Sequence, residues 1–464
     1  MSKDSASWAE EQFCASELGD KRRTNRLIKI ASHLAENIGS SLPLSCGGEE
    51  SLLEGAYRFV RNAKIKPYAI AEGAFKATVK RAQNSKVLLA IEDTTTLGFK
   101  HDVEDLGDIG GPKKSATQGF IAHNVLLVDV EKRQTLGLIE QRIWKRNTTE
   151  HGKSHNRRKR DYATKESYKW EDASRQIAER LGKKINQTIS ICDREADVYD
   201  YLFYKTKQQQ RFIVRAAQNR QVLSKKESLL FDCIGSGKKL GTYEVQIQQK
   251  SGRKKRKAKL ELRSGRVTIK PPKNANQKLP IEINFVIAQE IKAPKKEEPL
   301  CWIILTSEAV DDFEKARLVT KYYEMRWRVE EYHKAWKTGA GAERQRMQSS
   351  GNLERMLVIL GIVAVRLLQL RETLSEGGIK SSAEKIACTN VLTREEWIVL
   401  WSFVNKNKKP PKKVENLKWA YEAIAKLGGW SNSKRTGIAS WLTMWKGWFR
   451  LQERVEGYRI AKNV

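Results

Sequence analysis

Two apolar runs in the sequence each end in an aspartate, and this pattern constrains the fold more than any other feature. The run VLLAIED ends at Asp93, and the run TISICD ends at Asp193. Short apolar runs bounded by polar residues are typical of buried strands. Two strands that end alike predict carboxylates at one edge of a sheet, although each aspartate alone is also consistent with a turn cap.

The remaining patterns predict a mixed α/β sheet between helical ends. Residues 1 to about 70 have apolar residues at helical spacing and no strand pattern. Alternation between 218 and 300 predicts an antiparallel insertion, and a long helix is predicted from Asp312 to Thr338. Further strands are predicted at 121–130, 136–144, 211–217 and 301–306, with helices around 170–181, at 353–376 and within 390–464.

The charge of the chain indicates a polyanionic partner. Lys and Arg number 87 against 55 Asp and Glu, a net charge of +32, and the 40% hydrophobic content excludes a disordered basic tail. Basic clusters at 253–259 and 406–413 are predicted to supply salt-sensitive affinity. The segment 234–239 lacks the first glycine and the Ser/Thr of a phosphate loop, so no nucleotide cofactor is expected.

The expected compartment is a reducing cytoplasm. The cysteines form no C-x-x-C pair, and the first residues lack a signal-peptide pattern, so secretion, disulfides and a zinc ribbon are disfavoured. The longest apolar run, at 357–370, is shorter than the about 20 residues needed to cross a bilayer. The charge is therefore expected to face nucleic acid and not a membrane.

A third acidic motif lies in the long predicted helix. At about 100° per residue, one narrow stripe of that helix contains Tyr323, Arg326, Glu330 and Lys337. Glu331 falls off the stripe, which favours Glu330 as the helix carboxylate of a site. The same stripe is also consistent with a solvated face of intrahelical ion pairs.

Three carboxylates on two strands and a helix suit two-metal phosphodiester chemistry. Two cations about 3.5 to 4 Å apart activate an attacking oxygen and stabilise a leaving one. Asp93, Asp193 and Glu330 are therefore predicted to be catalytic and to hold two Mg²⁺ ions, for which Mn²⁺ would substitute. Arg326 and Lys337 are predicted to contact the phosphates beside the scissile bond.

Together the motifs resemble those of a known family. D-T-T at Asp93, C-D-R-E-A-D at Asp193 and the Y-x2-R-x3-E-x6-K spacing that begins at Tyr323 are similar to the DDE set and the YREK signature of cut-and-paste bacterial transposases of the IS-four group. The similarity extends to segments such as 54–59 and 333–347 and covers nearly the whole chain. The resemblance implies an α/β fold with an RNase H-like mixed-sheet core and a β-rich insertion, flanked by N-terminal and C-terminal helical domains.

The resemblance also implies roles for regions and residues. The expected domains are an N-terminal DNA-end-binding domain at 1–70, a catalytic core at 71–372 with its insertion at 216–300, and a C-terminal dimerisation domain at 373–464. Arg215 and Tyr323 would join Arg326 and Lys337 in contacting DNA phosphates. Trp302 would stack on a base flipped out near the cleavage site, with a core role as the alternative. Contacts to the DNA end are expected from Arg22, Arg23 and Arg26.

The predicted function is DNA transposition by a homodimer on paired transposon ends. Metal-dependent hydrolysis would free a 3′-OH, which would form a hairpin on the opposite strand, and a second water would open it before the end joins target DNA. The protein would act on double-stranded DNA in the bacterial nucleoid. An RNase H-like structure-specific nuclease and a non-catalytic nucleic-acid-binding protein are the alternatives.

Overall fold

The computed structural model describes most of the chain. The described ranges are 5–110, 118–146, 161–224, 228–235, 237–247, 256–294, 297–379, 385–406, 408–433 and 439–463. Residues 253–255 and 407 of the two basic clusters lie outside these ranges. The chain divides into two compact units, Met1–Ala77 with His101–Asp105 and Glu331–Val464, and Thr78–Lys100 with Leu106–Glu330.

Helices occupy the two ends of the described chain, and strands occupy its middle. The first helices are α1 (Ser5–Phe13), α2 (Lys21–Glu36), α3 (Leu42–Ser45), α4 (Glu50–Arg61) and α5 (Pro67–Ala82). The strands are β1 (Leu88–Gly98), β2 (Gly107–Asp108), β3 (Gln118–Asp129), β4 (Gln134–Trp144), β5 (Thr188–Cys192), β6 (Arg211–Arg215), β7 (Lys238–Ile247), β8 (Arg256–Ile269), β9 (Ile281–Glu290) and β10 (Cys301–Thr306). The remaining helices are α6 (Lys169–Leu181), α7 (Tyr199–Lys207), α8 (Leu230–Gly235), α9 (Phe313–Glu324), α10 (Trp327–Lys334), α11 (Ser350–Ile379), α12 (Arg394–Val404), α13 (Leu417–Leu427) and α14 (Trp441–Asn463).

In the helices of the first unit, the apolar residues whose helical spacing predicted the helices are buried. Asp20 caps α2 by accepting a hydrogen bond from the backbone N–H of Arg22 at 2.8 Å, and Leu27 and Leu34 of α2 are buried. In the C-terminal part, α12, α13 and α14 share a core that includes Leu400 and Ile424. Within the described ranges, no helix is both long and apolar enough to cross a membrane.

The second unit contains one mixed sheet. Its strand order is β2-β3-β1-β5-β6-β10-β9-β8-β7, with β4 paired to β3. The pairs β1–β5 and β5–β6 are parallel, and the other neighbours are antiparallel. With helices at both ends of the chain, this architecture confirms the predicted RNase H-like α/β class.

The strands of the predicted insertion continue the same sheet. β10 pairs with β6, with Ile304 opposite Arg215, and also with β9, with Trp302 opposite Ala288. The segment between β6 and β10 therefore extends the sheet outward from β10 as three more antiparallel strands. The domain boundaries drawn from the sequence stay a prediction.

Strand β1 is longer than the sequence predicts. It continues past Asp93 to Gly98 because the β-branched threonines 94–96 remain paired with β3, where Asp93 is opposite Asn124. The prediction that Asp93 ends its strand is therefore wrong. Asp193, in contrast, directly follows the last residue of β5, as predicted.

The long helix predicted from Asp312 to Thr338 is not continuous. Helix α9 begins after Asp312, which caps it, and ends at Glu324. A turn at residues 325–326 separates α9 from α10, and the π-helical turn Ala335–Gly339 follows α10. The prediction that Tyr323, Arg326, Glu330 and Lys337 lie on one face of a straight helix is therefore wrong, because these residues belong to different helical segments and the turns between them.

Candidate active site

Asp93 within β1 and Asp193 just after β5 have equivalent positions along these parallel neighbours. Each lies two residues beyond the paired residues Ile91 and Ile191. Because paired strands are about 4.8 Å apart, the two aspartates are close to each other. The Asp193 carboxylate is oriented by the backbone N–H of Glu195, which donates a hydrogen bond to its Oδ1 at 2.8 Å.

Arg326 connects Asp93 to the carboxylate of the helix. Its Nη2 donates a hydrogen bond to Glu330 Oε1 at 2.5 Å, and its Nη1 lies 3.6 Å from Asp93 Oδ2. The side chains of Arg326, Asp93 and Glu330 are only 12%, 15% and 28% exposed. One guanidinium thus lies between two poorly solvated carboxylates, one from β1 and one from α10.

The negative charges of Asp193 and Glu330 act on Asp93. The pKa of Asp93 is raised from 3.8 to about 7, chiefly by burial and then by the negative charges of Asp193 and Glu330. The Thr94 backbone N–H and Arg326 lower the same pKa and only partly offset these effects. Asp93 therefore lies where additional positive charge would stabilise its ionised form.

This set of ligands fits a hard divalent cation. Such ions prefer oxygen ligands, and Asp93, Asp193 and Glu330 supply carboxylate oxygens from three neighbouring segments. In the described part of the chain, however, no group of three His, Cys, Asp or Glu side chains is positioned to hold a metal ion. In this structure the guanidinium of Arg326 lies between two of these carboxylates and pairs with Glu330.

Two more of the predicted residues, Trp302 and Arg215, lie beside Tyr323, as does Arg326. The ring of Trp302, which is half-buried, packs edge-to-face on Tyr323 with ring centroids 5.7 Å apart. Arg215 donates hydrogen bonds to the Cys301 carbonyl oxygen at 3.0 Å and to Tyr323. The Arg326 guanidinium lies 6.0 Å from the Tyr323 ring centroid. Burial raises the pKa of Tyr323, so its hydroxyl remains protonated and available as a donor.

Lys337, the last residue of the helical motif, and Glu331, which is not part of the motif, belong to the first unit. Burial lowers the pKa of Lys337, which lies in the π-helical turn. The Glu331 carboxylate forms an ion pair with Arg371. Glu331 therefore has a structural partner, and Glu330 is the acid that contacts Arg326.

The three N-terminal arginines have different surroundings. The Arg22 side chain is 91% exposed and pairs with Asp20 at 3.0 Å. Arg23 donates a hydrogen bond to the Leu18 carbonyl oxygen at 2.9 Å, and the Arg26 guanidinium packs against Gly55 so closely that an added Cβ would overlap it. Arg22 is accordingly the most accessible of the three, and their roles in DNA binding stay predictions.

Sequence reasoning missed the residues that support the Asp193 turn. Lys169 Nζ lies 3.1 Å from Glu195 Oε1, and the Lys169 side chain is only 7% exposed. The buried Asp197 carboxylate accepts hydrogen bonds from the backbone N–H groups of residues 217–218, both at 2.7 Å. The sequence feature that indicates these residues is the group of three acidic residues, Asp193, Glu195 and Asp197, directly after a buried strand.

The fold and the carboxylate group place the chain in the RNase H-like class, and comparison with known families makes this specific. Residues 5–65 match the model of a transposase DNA-binding domain, and residues 169–366 match the model of the transposase DDE domain. The chain is therefore a DDE transposase, a DNA-binding and DNA-cleaving enzyme of a class that uses divalent metal ions. Asp193 and Glu330 lie within the matched DDE residues, and Asp93 precedes them.

Part of the chain is similar to a solved transposase structure. It is the cryo-EM structure of the piggyBac transposase synaptic complex with hairpin DNA. The similarity covers 81% of this chain and 74% of that chain, with 11% sequence identity and a TM-score of 0.35.

Proposed function

We propose that the protein is a cut-and-paste transposase of the IS-four group, resembling the transposase of transposon five. The observation that carries the proposal is that Asp193 and Glu330 both act on the Asp93 charge, with Arg326 between Asp93 and Glu330. This group occurs in a chain that also has a transposase DNA-binding domain. The protein acts as a homodimer on paired transposon ends in the bacterial nucleoid. Residues 373–464 form the dimer contact, and no nucleotide cofactor takes part.

The reaction is a series of phosphodiester exchanges. Water attacks the phosphorus at the element's end, and the 3′-OH of the element leaves. That 3′-OH attacks the opposite strand, which forms a hairpin and releases the flanking DNA. A second water opens the hairpin and restores the 3′-OH, which then attacks a phosphodiester of the target and displaces a target 3′-OH.

The residues of the site divide this work. Asp93, Asp193 and Glu330 would hold two divalent cations, Mg²⁺ or Mn²⁺, which would activate the attacking oxygen and stabilise the leaving one. Phosphates are positioned by Arg215, Tyr323, Arg326 and Lys337. Trp302 stacks on a flipped base, which offsets the unstacking needed to bend a strand back on its partner. Contacts to the DNA end come from Arg22, Arg23 and Arg26.

A pair of neighbouring substitutions tests the proposal. Purified protein and Mg²⁺ are incubated with a plasmid that carries the inverted repeats flanking the gene. Glu330→Gln is expected to lower the cleavage rate by about 10³-fold or more, because it removes charge stabilisation in the transition state. Glu331→Gln, whose carboxylate pairs with Arg371, is the matched control and should retain cleavage.

The products separate the proposed function from its alternatives. A transposase releases a blunt fragment through a hairpin, whereas a structure-specific nuclease leaves nicks without dependence on the ends. A binding protein leaves the plasmid intact. Asp93→Asn and Asp193→Asn should also abolish cleavage while DNA affinity stays within a few-fold. Full cleavage by Glu330→Gln together with loss in Glu331→Gln would contradict the assignment.

A further inference from the structure

We propose that Arg326 makes cation binding at Glu330 depend on DNA. In the free protein its guanidinium holds Glu330, and in the DNA complex it transfers to a backbone phosphate and releases that carboxylate for the cation. The inference rests on the proposed function and adds to it a reason for activity to begin only on bound DNA. It assigns Arg326 a positioning role beyond phosphate contact.

The first step of the argument is the geometry of the ion pair. Arg326 Nη2 hydrogen-bonds Glu330 Oε1 at 2.5 Å, while Nη1 lies 3.6 Å from Asp93 Oδ2. A guanidinium does not lose its proton at any physiological pH. The ion pair therefore persists until a competing partner takes either the guanidinium or the carboxylate.

The second step is competition for one oxygen. Arg326 occupies Oε1, one of the two oxygens of Glu330 that could bind a cation. Two positive charges at the same poorly solvated carboxylate repel each other strongly, because water screens them little. Arg326 and a cation at Glu330 therefore oppose each other's binding.

The third step is the transfer to DNA. A guanidinium binds phosphate with two parallel charge-assisted hydrogen bonds, which compensates for breaking the ion pair with Glu330. The Arg326 guanidinium already lies 5.5 Å from the ring centroid of Trp327, a residue that is 50% exposed. The side chain is thus at the border of the buried site and the surface that a phosphate can reach.

Thermodynamic linkage makes the effect reciprocal. If DNA raises the affinity for the cation by a given factor, the cation raises the affinity for DNA by the same factor, and such factors are commonly about 5- to 150-fold. The free protein then lacks a complete hydrolytic centre. Chromosomal DNA that binds without displacing Arg326 would be spared from cleavage.

The test measures Mn²⁺ binding directly, as the loss of the free Mn²⁺ electron paramagnetic resonance signal on titration of the full chain. Arg326→Gln removes the guanidinium and keeps a polar side chain. Lys321→Gln is the matched control, because Lys321 is an exposed residue of α9 and the change removes the same charge. Mn²⁺ binding that is lost in Glu330→Gln is assigned to the carboxylate site. Mn²⁺ binding that remains in Glu330→Gln with DNA present is assigned to the DNA itself and subtracted.

Two results are expected. Without DNA, Arg326→Gln binds Mn²⁺ about tenfold more tightly than the wild type and Lys321→Gln. When a duplex of the flanking inverted repeat is added, the wild-type affinity rises by about the same factor, and that of Arg326→Gln changes less than about twofold. Melting curves establish that each variant is folded, and Arg326→Lys, which keeps the charge but has fewer donors, should fall between the two.

The outcomes that overturn the inference are distinct from failure of the proposed function. Equal Mn²⁺ affinity of wild type and Arg326→Gln without DNA, or a wild-type affinity that DNA leaves unchanged, would eliminate the transfer even if cleavage requires all three carboxylates. Cleavage that persists in Glu330→Gln would instead contradict the proposed function.

Discussion

Arg328 donates a hydrogen bond from its Nη2 to the carbonyl oxygen of Arg133 at 2.7 Å. Its Nη1 also donates to Thr135 Oγ1 at 3.4 Å. These contacts fasten the start of α10 to the connection between β3 and β4, two residues before Glu330. The two Arg328 hydrogen bonds therefore hold Glu330 in position relative to the β3–β4 hairpin. Strand β3 of this hairpin is paired with β1, which contains Asp93.

Arg328→Ala should slow cleavage without preventing DNA binding. A displacement of about 1 Å at a reacting group can cost about 10²-fold in rate, so a 10- to 100-fold loss is expected. Single-turnover cleavage at saturating DNA measures the effect. Arg328→Lys can still donate to one carbonyl oxygen and should recover part of the rate. A normal cleavage rate in Arg328→Ala would show that the two Arg328 hydrogen bonds do not position Glu330.

Asp93→Asn should stabilise the metal-free protein above about pH 5. Because the folded-state pKa of Asp93 is about 7 and its ordinary value is 3.8, the folded state binds the proton more tightly than the unfolded state. Wild-type stability is thus expected to fall as pH rises from about 4 to 7, with each pKa unit worth about 1.4 kcal/mol.

Urea unfolding of wild type and Asp93→Asn in the presence of a chelator, at several pH values between 4 and 8, checks this prediction. The two free energies of unfolding should converge at pH 4 and differ by a few kcal/mol, on the order of the pKa shift, at pH 8. Added Mg²⁺ should narrow the difference, since a cation balances the Asp93 charge. A difference in the free energy of unfolding that stays constant between pH 4 and 8 would contradict the raised pKa of Asp93.

Trp302→Ala should slow hairpin formation more than the first nick. Stacking of a base on an aromatic ring is worth about 1 to 3 kcal/mol, and only the hairpin step needs the sharp bend. A time course of nicked and hairpin products alongside a thermal melt measures both effects. Trp302 also packs on Tyr323, so equal loss of both products with a lower melting temperature would assign it to the core.

DNA affinity should depend steeply on salt. A footprint of six to ten phosphates loses about 10³ to 10⁵ in affinity between about 50 and 200 mM salt. Lys257 and Lys259 are exposed on β8, and replacing both with Gln should reduce the slope of log K against log salt by about two. Glu244→Gln, opposite Lys259 on β7, should not weaken binding. A slope near zero in the wild type would contradict the nucleic-acid interpretation of the charge.

Local patterns were enough to predict buried strands at Asp93 and Asp193, although Asp93 lies within β1 and only Asp193 follows its strand directly. The choice of Glu330 over Glu331 as a catalytic acid stays a prediction. Local patterns did not predict the break at residues 325–326, because Met and Arg are good helix formers and neither Gly nor Pro marks the turn. The contact between Arg326 and Asp93 joins residues far apart in the sequence, and no periodicity reports such a contact.

The direct pairing of β6 with β10 separates the register of the aspartates from the segment between these strands. The two strands are antiparallel neighbours, so a shorter segment between them would change no partner of β1 or β5. Such a change would instead reach the apolar core, because Val267 and Phe285 of the segment pack in one cluster with Phe212 of β6. The outer strands therefore contribute to the site through the packing beneath it and not through strand pairing.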